Sequence, residues 1–160
     1  MKLHRLLSSL RIAKPLDEVF SFFADAHNLQ KLTPEWLDFQ VLTPKPVEMQ
    51  VGKLIDYKLR IHGLPVRWRS EITVWEPPIR FVDKQRKGPY RAWIHEHRFR
   101  QQDGDTIVED DVRYGVLGGA LVNKLLVERD VRKIFQHRAI CMRRIFDSES
   151  DTCDFVRIVP

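Results

Sequence analysis

The side chains best placed to do chemistry in this chain of 160 residues lie in Trp93-Ile94-His95-Glu96-His97-Arg98-Phe99. Side chains alternate between the two faces of a strand. Trp93, His95, His97 and Phe99 therefore share one face, and Ile94, Glu96, Arg98 and Arg100 the other. The second set is mostly charged, so the first turns inward. Two imidazoles then sit between two aromatic rings, where packing alone would select Val or Leu. Asp103-Gly104 reads as the centre of a two-residue hairpin turn. Pairing about it sets Trp93 opposite Tyr114, His95 opposite Val112, His97 opposite Asp110 and Phe99 opposite Val108. Directly opposed Cβ atoms lie about 4.5–5.5 Å apart, within reach of a carboxylate–imidazole hydrogen bond. Asp110 would fix the tautomer of His97 and raise its basicity, which is the chemistry of a general base. The plainer reading, which the sequence favours, is two buried polar groups that satisfy each other.

The same arithmetic extends across the sheet. With Pro77-Pro78 in a turn, Val74 faces Phe81, Ile72 faces Asp83 and Ser70 faces Gln85. Around Gly63-Leu64, Ile61 faces Val66, Leu59 faces Trp68 and Tyr57 faces Ser70. The inner wall thus gathers Tyr57, Trp68, Ser70, Asp83, Gln85, Trp93, His95, His97 and Asp110. A dry core does not hold that many polar atoms. Either they close into an internal network, or water and a ligand satisfy them. Glu128 joins the list as a ligand contact or proton acceptor, since it falls between Leu121 and Phe135 on the last helix. Its plainer reading is an i,i+4 pair with Arg132.

Two histidines at i and i+2 beside Asp83 and Asp110 also have the makings of a zinc or iron site. Trp93 and Phe99 leave little room, and the register supplies no third histidine, so the expectation is no metal and no cofactor. His4, His27, His62 and His137 read as surface or incidental positions. Neither a phosphate-cradling glycine loop nor a Gly-x-Ser-x-Gly nucleophile turn occurs, and Cys141 has no obvious base partner in the sequence.

The elements that position these residues follow from periodicity. Residues 3–12 read as a strand rather than a cleaved leader, because Ser8, Ser9 and Arg11 interrupt the apolar stretch and no small-residue cleavage site follows. Pro15 opens a short helix with Asp17 and Glu18 in its first turn and an apolar stripe of Leu16, Val19, Phe20 and Phe23. A second short helix covers 27–32 and stops at Pro34. Strands are expected at 36–42, 53–62, 66–75, 80–85, 91–101 and 106–114, joined by short turns and hence antiparallel. After residues 115–119 a long amphipathic helix runs to about Phe146, with Ala120, Leu121, Val127, Val131, Ile134, Phe135, Ala139, Met142, Ile145 and Phe146 as its stripe. The expected organisation is one domain, 1–146, and a loosely packed C-terminal tail, 147–160.

Composition bounds the class. A hydrophobic content of 43% and a charged content of 31% suit a soluble domain, and no apolar run approaches the roughly 18 residues of a membrane span. Cys141 and Cys153 have no metal-ligand spacing, which favours a reduced, cytoplasmic setting. Between residues 120 and 146, seven basic residues stand against two acids, equal to the net charge of +5 for the whole chain. No aromatics interleave with these charges, so nucleic acid is set aside and a solvated face is favoured. Docking of this basic C-terminal helix on an anionic membrane remains a further reading. The outward Lys58, Arg60, Arg67 and Arg69 read as a solvated patch on the convex face.

This order of strand, two short helices, six strands and long helix resembles the helix-grip proteins of the START-related superfamily (SRPBCC). That group includes polyketide cyclases and dehydrases, lipid-transfer domains and the major birch-pollen allergen. The resemblance spans about residues 1–146. Its closest local match is an uncharacterised bacterial subgroup, through Pro78-Ile79-Arg80-Phe81-Val82-Asp83-Lys84-Gln85, the run from Gly88 to Phe99, and Arg132-Lys133-Ile134-Phe135-Gln136-His137-Arg138. It implies an α+β fold: a curved seven-stranded antiparallel sheet around a long C-terminal helix, with a ligand cavity between them. It supplies no substrate.

The function expected first is binding of a small hydrophobic or aromatic molecule. Trp68, Trp93 and Phe99 would give contact area, with Tyr57, Asp83, Gln85, His95, His97, Asp110 and Glu128 around its polar groups. The alternative is a cyclase- or dehydrase-type enzyme in which His97 removes a proton next to a carbonyl, Asp110 orients it, and Tyr57 or His95 polarises the oxygen. A lipid or quinone carrier is the third reading. The sequence fixes no oligomeric state.

Overall fold

The computed structural model describes residues 2–146, 148 and 155–159. The chain opens with β1 (His4–Ile12), then α1 (Leu16–Ala24), a 3-10 turn (Ala26–Asn28) and α2 (Leu29–Leu32). The strands β2 (Gln40–Val41), β3 (Leu54–Ile61), β4 (Leu64–Glu76), β5 (Arg80–Lys87), β6 (Ala92–Gln102) and β7 (Asp105–Gly115) follow. The C-terminal helix comprises α3 (Gly119–Val122), a π-helical turn (Asn123–Val127) and α4 (Glu128–Ile145), after which comes β8 (Phe155–Val159). One antiparallel sheet in the order β2-β3-β4-β5-β6-β7-β1-β8 forms the wall. Its fold is the expected α+β helix-grip arrangement.

The register of β6 on β7 is the expected one, with His97 opposite Asp110 and Trp93 opposite Tyr114. Asp103 and Gly104 take φ of 53° and 86°, the left-handed pair that a type I′ hairpin needs. Two other registers differ. The β3–β4 turn is made by His62 and Gly63 at φ 49° and 80°, so Tyr57 faces Trp68 and Ile55 faces Ser70. The shift is by two residues, which leaves every side chain on its expected face. Between β4 and β5, Ile72 and Ser70 face Asp83 and Gln85 as expected, but a bulge past Ile72 sets Val74 against Val82 and Trp75 against Phe81.

Two elements also differ. The strand expected at 36–42 is a 3-10 turn (Glu35–Leu37), a left-handed Asp38 and the two-residue β2. Asp38 at φ 42° breaks the extended run, so the alternation read there is local. The sheet has eight strands rather than seven, because part of the tail returns as β8 against β1, Leu6 opposite Ile158. Residues 155–159 therefore extend the sheet that the sequence boundary at 146 leaves closed. Cys153 and the rest of the tail lie outside the described residues, as does the side chain of Ala120.

The core has two parts. Phe20, Phe23, Phe81, Phe99, Ile72 and Met142 pack under α1 and the end of α4. Leu6, Trp93, Val112, Tyr114, Val131 and Phe135 pack under the start of α4. On β6 the two parts are anchored by Phe99 and Trp93, and His95 and His97 fall between them.

Candidate functional site

The buried face of β6 brings both histidines under the C-terminal helix, 7% and 4% exposed. Their rings stack with centroids 3.6 Å apart, and Phe81 stacks on the far side of His97 at 4.1 Å. Each imidazole reaches a different carboxylate. His95 Nε2 lies 2.8 Å from Asp110 Oδ1, and His97 Nε2 lies 2.9 Å from Asp83 Oδ2. The expected His97–Asp110 pair is thus opposed in register but is not the shortest contact: His97 Nδ1 stands 3.4 Å from Asp110 Oδ1. The long imidazole arm of His95 runs diagonally to Asp110, while His97 turns towards the next strand. Diagonal reach of this kind is open to long side chains on one sheet face.

Further partners fix both acids. Ser8 Oγ, directly across from Asp110 on β1, donates to its Oδ2 at 2.8 Å. Ser70 Oγ donates to Asp83 Oδ1 at 3.3 Å and accepts from Trp68 Nε1 at 3.0 Å. Arg138 reaches down from α4, its Nη2 3.5 Å from Asp110 Oδ1 and 3.4 Å from His97 Nδ1. Burial opposes ionisation of Asp110, but Arg138 and the two histidines outweigh it and hold the carboxyl well below its usual range. Asp83 is also lowered, burial being overcome by the His97 hydrogen bond and the nearby His95. Burial, together with the neighbouring His97, pushes His95 down against the pull of Asp110. Burial raises the Tyr57 hydroxyl, which stays protonated.

Arg138 is the site residue that the sequence reading places elsewhere, among the basic residues of a solvated helix face. It is 5% exposed. Its signal lies in spacing: Val131, Phe135, Arg138 and Met142 are the buried positions of α4, steps of four, three and four. A charge that falls on the apolar stripe is a charge inside the protein. Ser8 carries no comparable signal, since a serine between leucines reads as a neutral strand position.

The cluster forms part of the wall of a cavity of about 360 Å³ between sheet and helix. Of the expected site residues, Tyr57, Trp68, Asp83, Trp93, His95 and His97 line it. Asp110 sits behind the histidines, against a second recess under α4 that Ser8 and Arg138 also border. Three expected contacts lie away from the cavity wall. Gln85 holds the β5–β6 loop, donating to Tyr90 O at 2.7 Å and accepting from Tyr90 N at 3.3 Å. Phe99 packs edge-on against Phe20 and Phe23 in the core. Glu128 makes the i,i+4 pair with Arg132, at 3.4 Å. The apolar remainder of the cavity wall includes Phe22, Leu29, Met49, Ile55, Ile72 and Phe135. Trp36, Leu117 and Leu126 border it and are exposed.

Chemically, the arrangement offers an imidazole backed by a carboxylate. His95 donates from Nε2 to Asp110, which leaves Nδ1 as its lone-pair nitrogen. Its nearest carboxylate oxygen on that side, Asp83 Oδ2, is 3.8 Å away, too far for a hydrogen bond. His97 in turn donates from Nε2 to Asp83, and its Nδ1 faces Arg138 Nη2 at 3.4 Å. No helix among the described residues is long and apolar enough to cross a membrane.

Comparison with solved structures supports the same fold. Protein Ms6760 from Mycobacterium smegmatis is 16% identical over 89% of this chain and 90% of its own, with a TM-score of 0.67. The major latex-like protein 151 of Panax ginseng is 13% identical over 90% and 97%, at 0.67. The Zhui aromatase/cyclase from Streptomyces sp. R1128 is 15% identical over 90% and 96%, at 0.63. No curated protein matches the sequence. The family model described as polyketide cyclase / dehydrase and lipid transport matches residues 12–139, most of the chain, and with the sheet and helix already in place, the chain belongs to that family.

Proposed function

We propose that this protein binds one small, largely apolar molecule in the cavity, with a single polar group of that molecule turned towards His95, His97 and Asp83. The observation that carries this reading is the uneven wall: apolar and aromatic side chains over most of about 360 Å³, one buried charged cluster, and the more exposed His62–Asp130 pair and Asp25 elsewhere on the wall. Small-molecule sites take this form, apolar area for affinity and a few fixed polar groups for orientation. Asp83 supports it further, because its side chain keeps 19% exposure while its partners are nearly closed off.

The test is extraction of the purified protein and mass spectrometry of what it carries, followed by titration with a fluorescent apolar probe. A stoichiometric apolar compound, or a saturable probe site weakened about tenfold or more by Trp68→Ala, supports the reading. Probe binding that ignores Trp68→Ala and Met49→Ala, with both variants folded, refutes it.

A cyclase- or dehydrase-type reaction is the second reading, favoured by the 2.8 Å Asp110–His95 contact and the lone-pair Nδ1. His95 would take a proton from carbon or oxygen of the bound molecule, and Asp110 would stabilise the imidazolium formed. In that case His95→Gln abolishes turnover while the apolar probe still binds.

A further inference from the structure

We propose that Asp83, His95 and His97 form a binding site for one divalent first-row transition-metal ion, with Asp110 as the outer carboxylate that orients both histidines. One donor atom from each of the three residues lies within 4.8 Å of those of the other two. Asp83 Oδ2 is 2.9 Å from His97 Nε2 and 3.8 Å from His95 Nδ1. Bonds of about 2.0–2.2 Å to nitrogen and oxygen give a tetrahedral edge of ~3.4 Å, so an ion would replace the 2.9 Å His97–Asp83 hydrogen bond, draw His95 Nδ1 in from 3.8 Å and turn the two stacked rings towards it. Two imidazoles and one carboxylate suit zinc or ferrous iron rather than magnesium or calcium, which prefer all-oxygen shells.

The surroundings match what such a site needs. A metal-bound histidine donates its other ring N–H to a carboxylate or carbonyl. His95, bound through Nδ1, keeps its 2.8 Å hydrogen bond from Nε2 to Asp110 Oδ1. His97, bound through Nε2, moves its proton to Nδ1, which faces the same Asp110 Oδ1 at 3.4 Å; Arg138 Nη2, which stands 3.4 Å from that nitrogen, must then donate to Asp110 alone. The proton shifts within the imidazole, so none is lost. Asp110 is held in turn by Ser8, and Asp83 by Ser70. Two carboxylates, Asp83 and Asp110, share the single guanidinium of Arg138, and a dication would add countercharge to them. All three donor residues line the cavity, so the remaining coordination positions open onto it. The sequence sets this site aside for want of room and of a third histidine. In the structure Trp93 and Phe99 belong to the two parts of the core on either side, and Asp83 from β5 supplies the third donor.

The proposal is independent of the identity of the apolar ligand, because the ion alone is the probe. Metal-stripped full-length protein is titrated with Co²⁺ and followed by visible absorption, and with Zn²⁺ and followed by thermal melting. One equivalent of Co²⁺ with ligand-field bands of a nitrogen–oxygen site, displaced by Zn²⁺, is expected. Asp83→Asn and His95→Gln should abolish that signal, Asp110→Asn should weaken binding about 10–100-fold, and His62→Gln with His137→Gln should leave it unchanged. Circular dichroism establishes which variants fold. If His95→Gln does not fold, Asp83→Asn decides. Absence of the cobalt bands in the wild type overturns the proposal, as does an unaltered signal in folded Asp83→Asn, which would place the ion on surface histidines. Apolar-probe binding to the metal-free protein is scored separately, so either reading can fail without the other.

Discussion

Replacing Arg138 by Met tests whether the cluster is held together by charge. Met keeps most of the aliphatic stem and removes the guanidinium, whose central carbon lies 5.1 and 5.9 Å from the ring centroids of Phe23 and Phe135. At 3.5 Å from Asp110 Oδ1 and an effective dielectric of about 20, the attraction lost is about 4–5 kcal/mol. Arg138 regains the cost of its own desolvation, and Asp110 keeps His95 and Ser8, so the expected net loss is about 2–3 kcal/mol at pH 7. Breaking a buried pair from one side commonly costs about 3–5 kcal/mol, and the long contact puts this one below that range. The assay is urea unfolding of wild type, Arg138→Met, Asp110→Asn and the double variant, with a coupling of about 1–3 kcal/mol between the two sites. pH adds a second arm. The Asp110 carboxyl is depressed in the folded protein, so its contribution is full above its unfolded value and is lost as pH falls through the folded one. Without Arg138 the depression shrinks, and the gap between wild type and Arg138→Met narrows only as pH falls below the usual carboxylate range, through the two folded values. A loss under about 1 kcal/mol, or a gap that does not change with pH, would refute the argument.

The remaining expectations concern the frame and the mouth of the cavity. Ser8→Ala leaves Asp110 Oδ2 without its donor and should cost about 1–2 kcal/mol by urea unfolding, whereas Ser8→Thr, which keeps the hydroxyl, should cost clearly less. Gln85→Leu releases both hydrogen bonds to Tyr90, and Gly88→Ala drives a Cβ into the Gln85 amide; each should raise hydrogen exchange in residues 86–91 without altering that of β7. Gly104 at φ 86° has open space around it, so Gly104→Ala should cost about 1 kcal/mol through backbone strain alone. Leu121 and Leu125 are exposed at 69% and 64% beside Lys124. If this end of the helix meets anionic lipid, sedimentation with anionic vesicles should fall with salt and with Leu121→Ser/Leu125→Ser; equal sedimentation of that variant would exclude the docking face.

The readable part of this protein was the part governed by period two. In β6 and β7 the alternation is strict, and Asp103-Gly104 permits only one tight turn, so four cross-strand pairs follow from counting. The same counting misplaces the β3–β4 turn by one residue because His62 adopts a positive φ that histidine rarely takes, and it misses the β4–β5 bulge because an added residue leaves no mark in composition. Faces are recovered in both regions up to the bulge, since parity survives a shift of two. Side-chain direction is a further level. Register puts His97 opposite Asp110, yet χ rotation sends His97 to Asp83 and His95 to Asp110, a choice made by packing against Phe81 and Phe135 rather than by sequence position. Arg138 was legible in principle. Helical spacing places it on the stripe, and only the habit of counting arginines as surface charge hides it.

The charge of the cluster constrains what the cavity can hold. Asp83 is the more accessible of the two acids in the cluster, and Nδ1 of His95 is an acceptor, so without a metal ion the cluster offers acceptor atoms beside a carboxylate. An occupant should then present a donor, a hydroxyl or an ammonium, and a carboxylate should be excluded by like charge and by desolvation. A bound dication reverses the preference, because its open positions take anionic oxygen. Decanol, decylamine and decanoate share one apolar chain and differ only at the head, so their competition against an apolar probe isolates this effect. In metal-free protein decanol and decylamine should displace the probe at least about tenfold better than decanoate, a difference of about 1.4 kcal/mol. Added Zn²⁺ should raise the decanoate affinity and leave decanol little changed. Equal displacement by decanoate and decylamine, with and without zinc, would mean that the head group never reaches Asp83, and the orientation proposed for the ligand would be wrong.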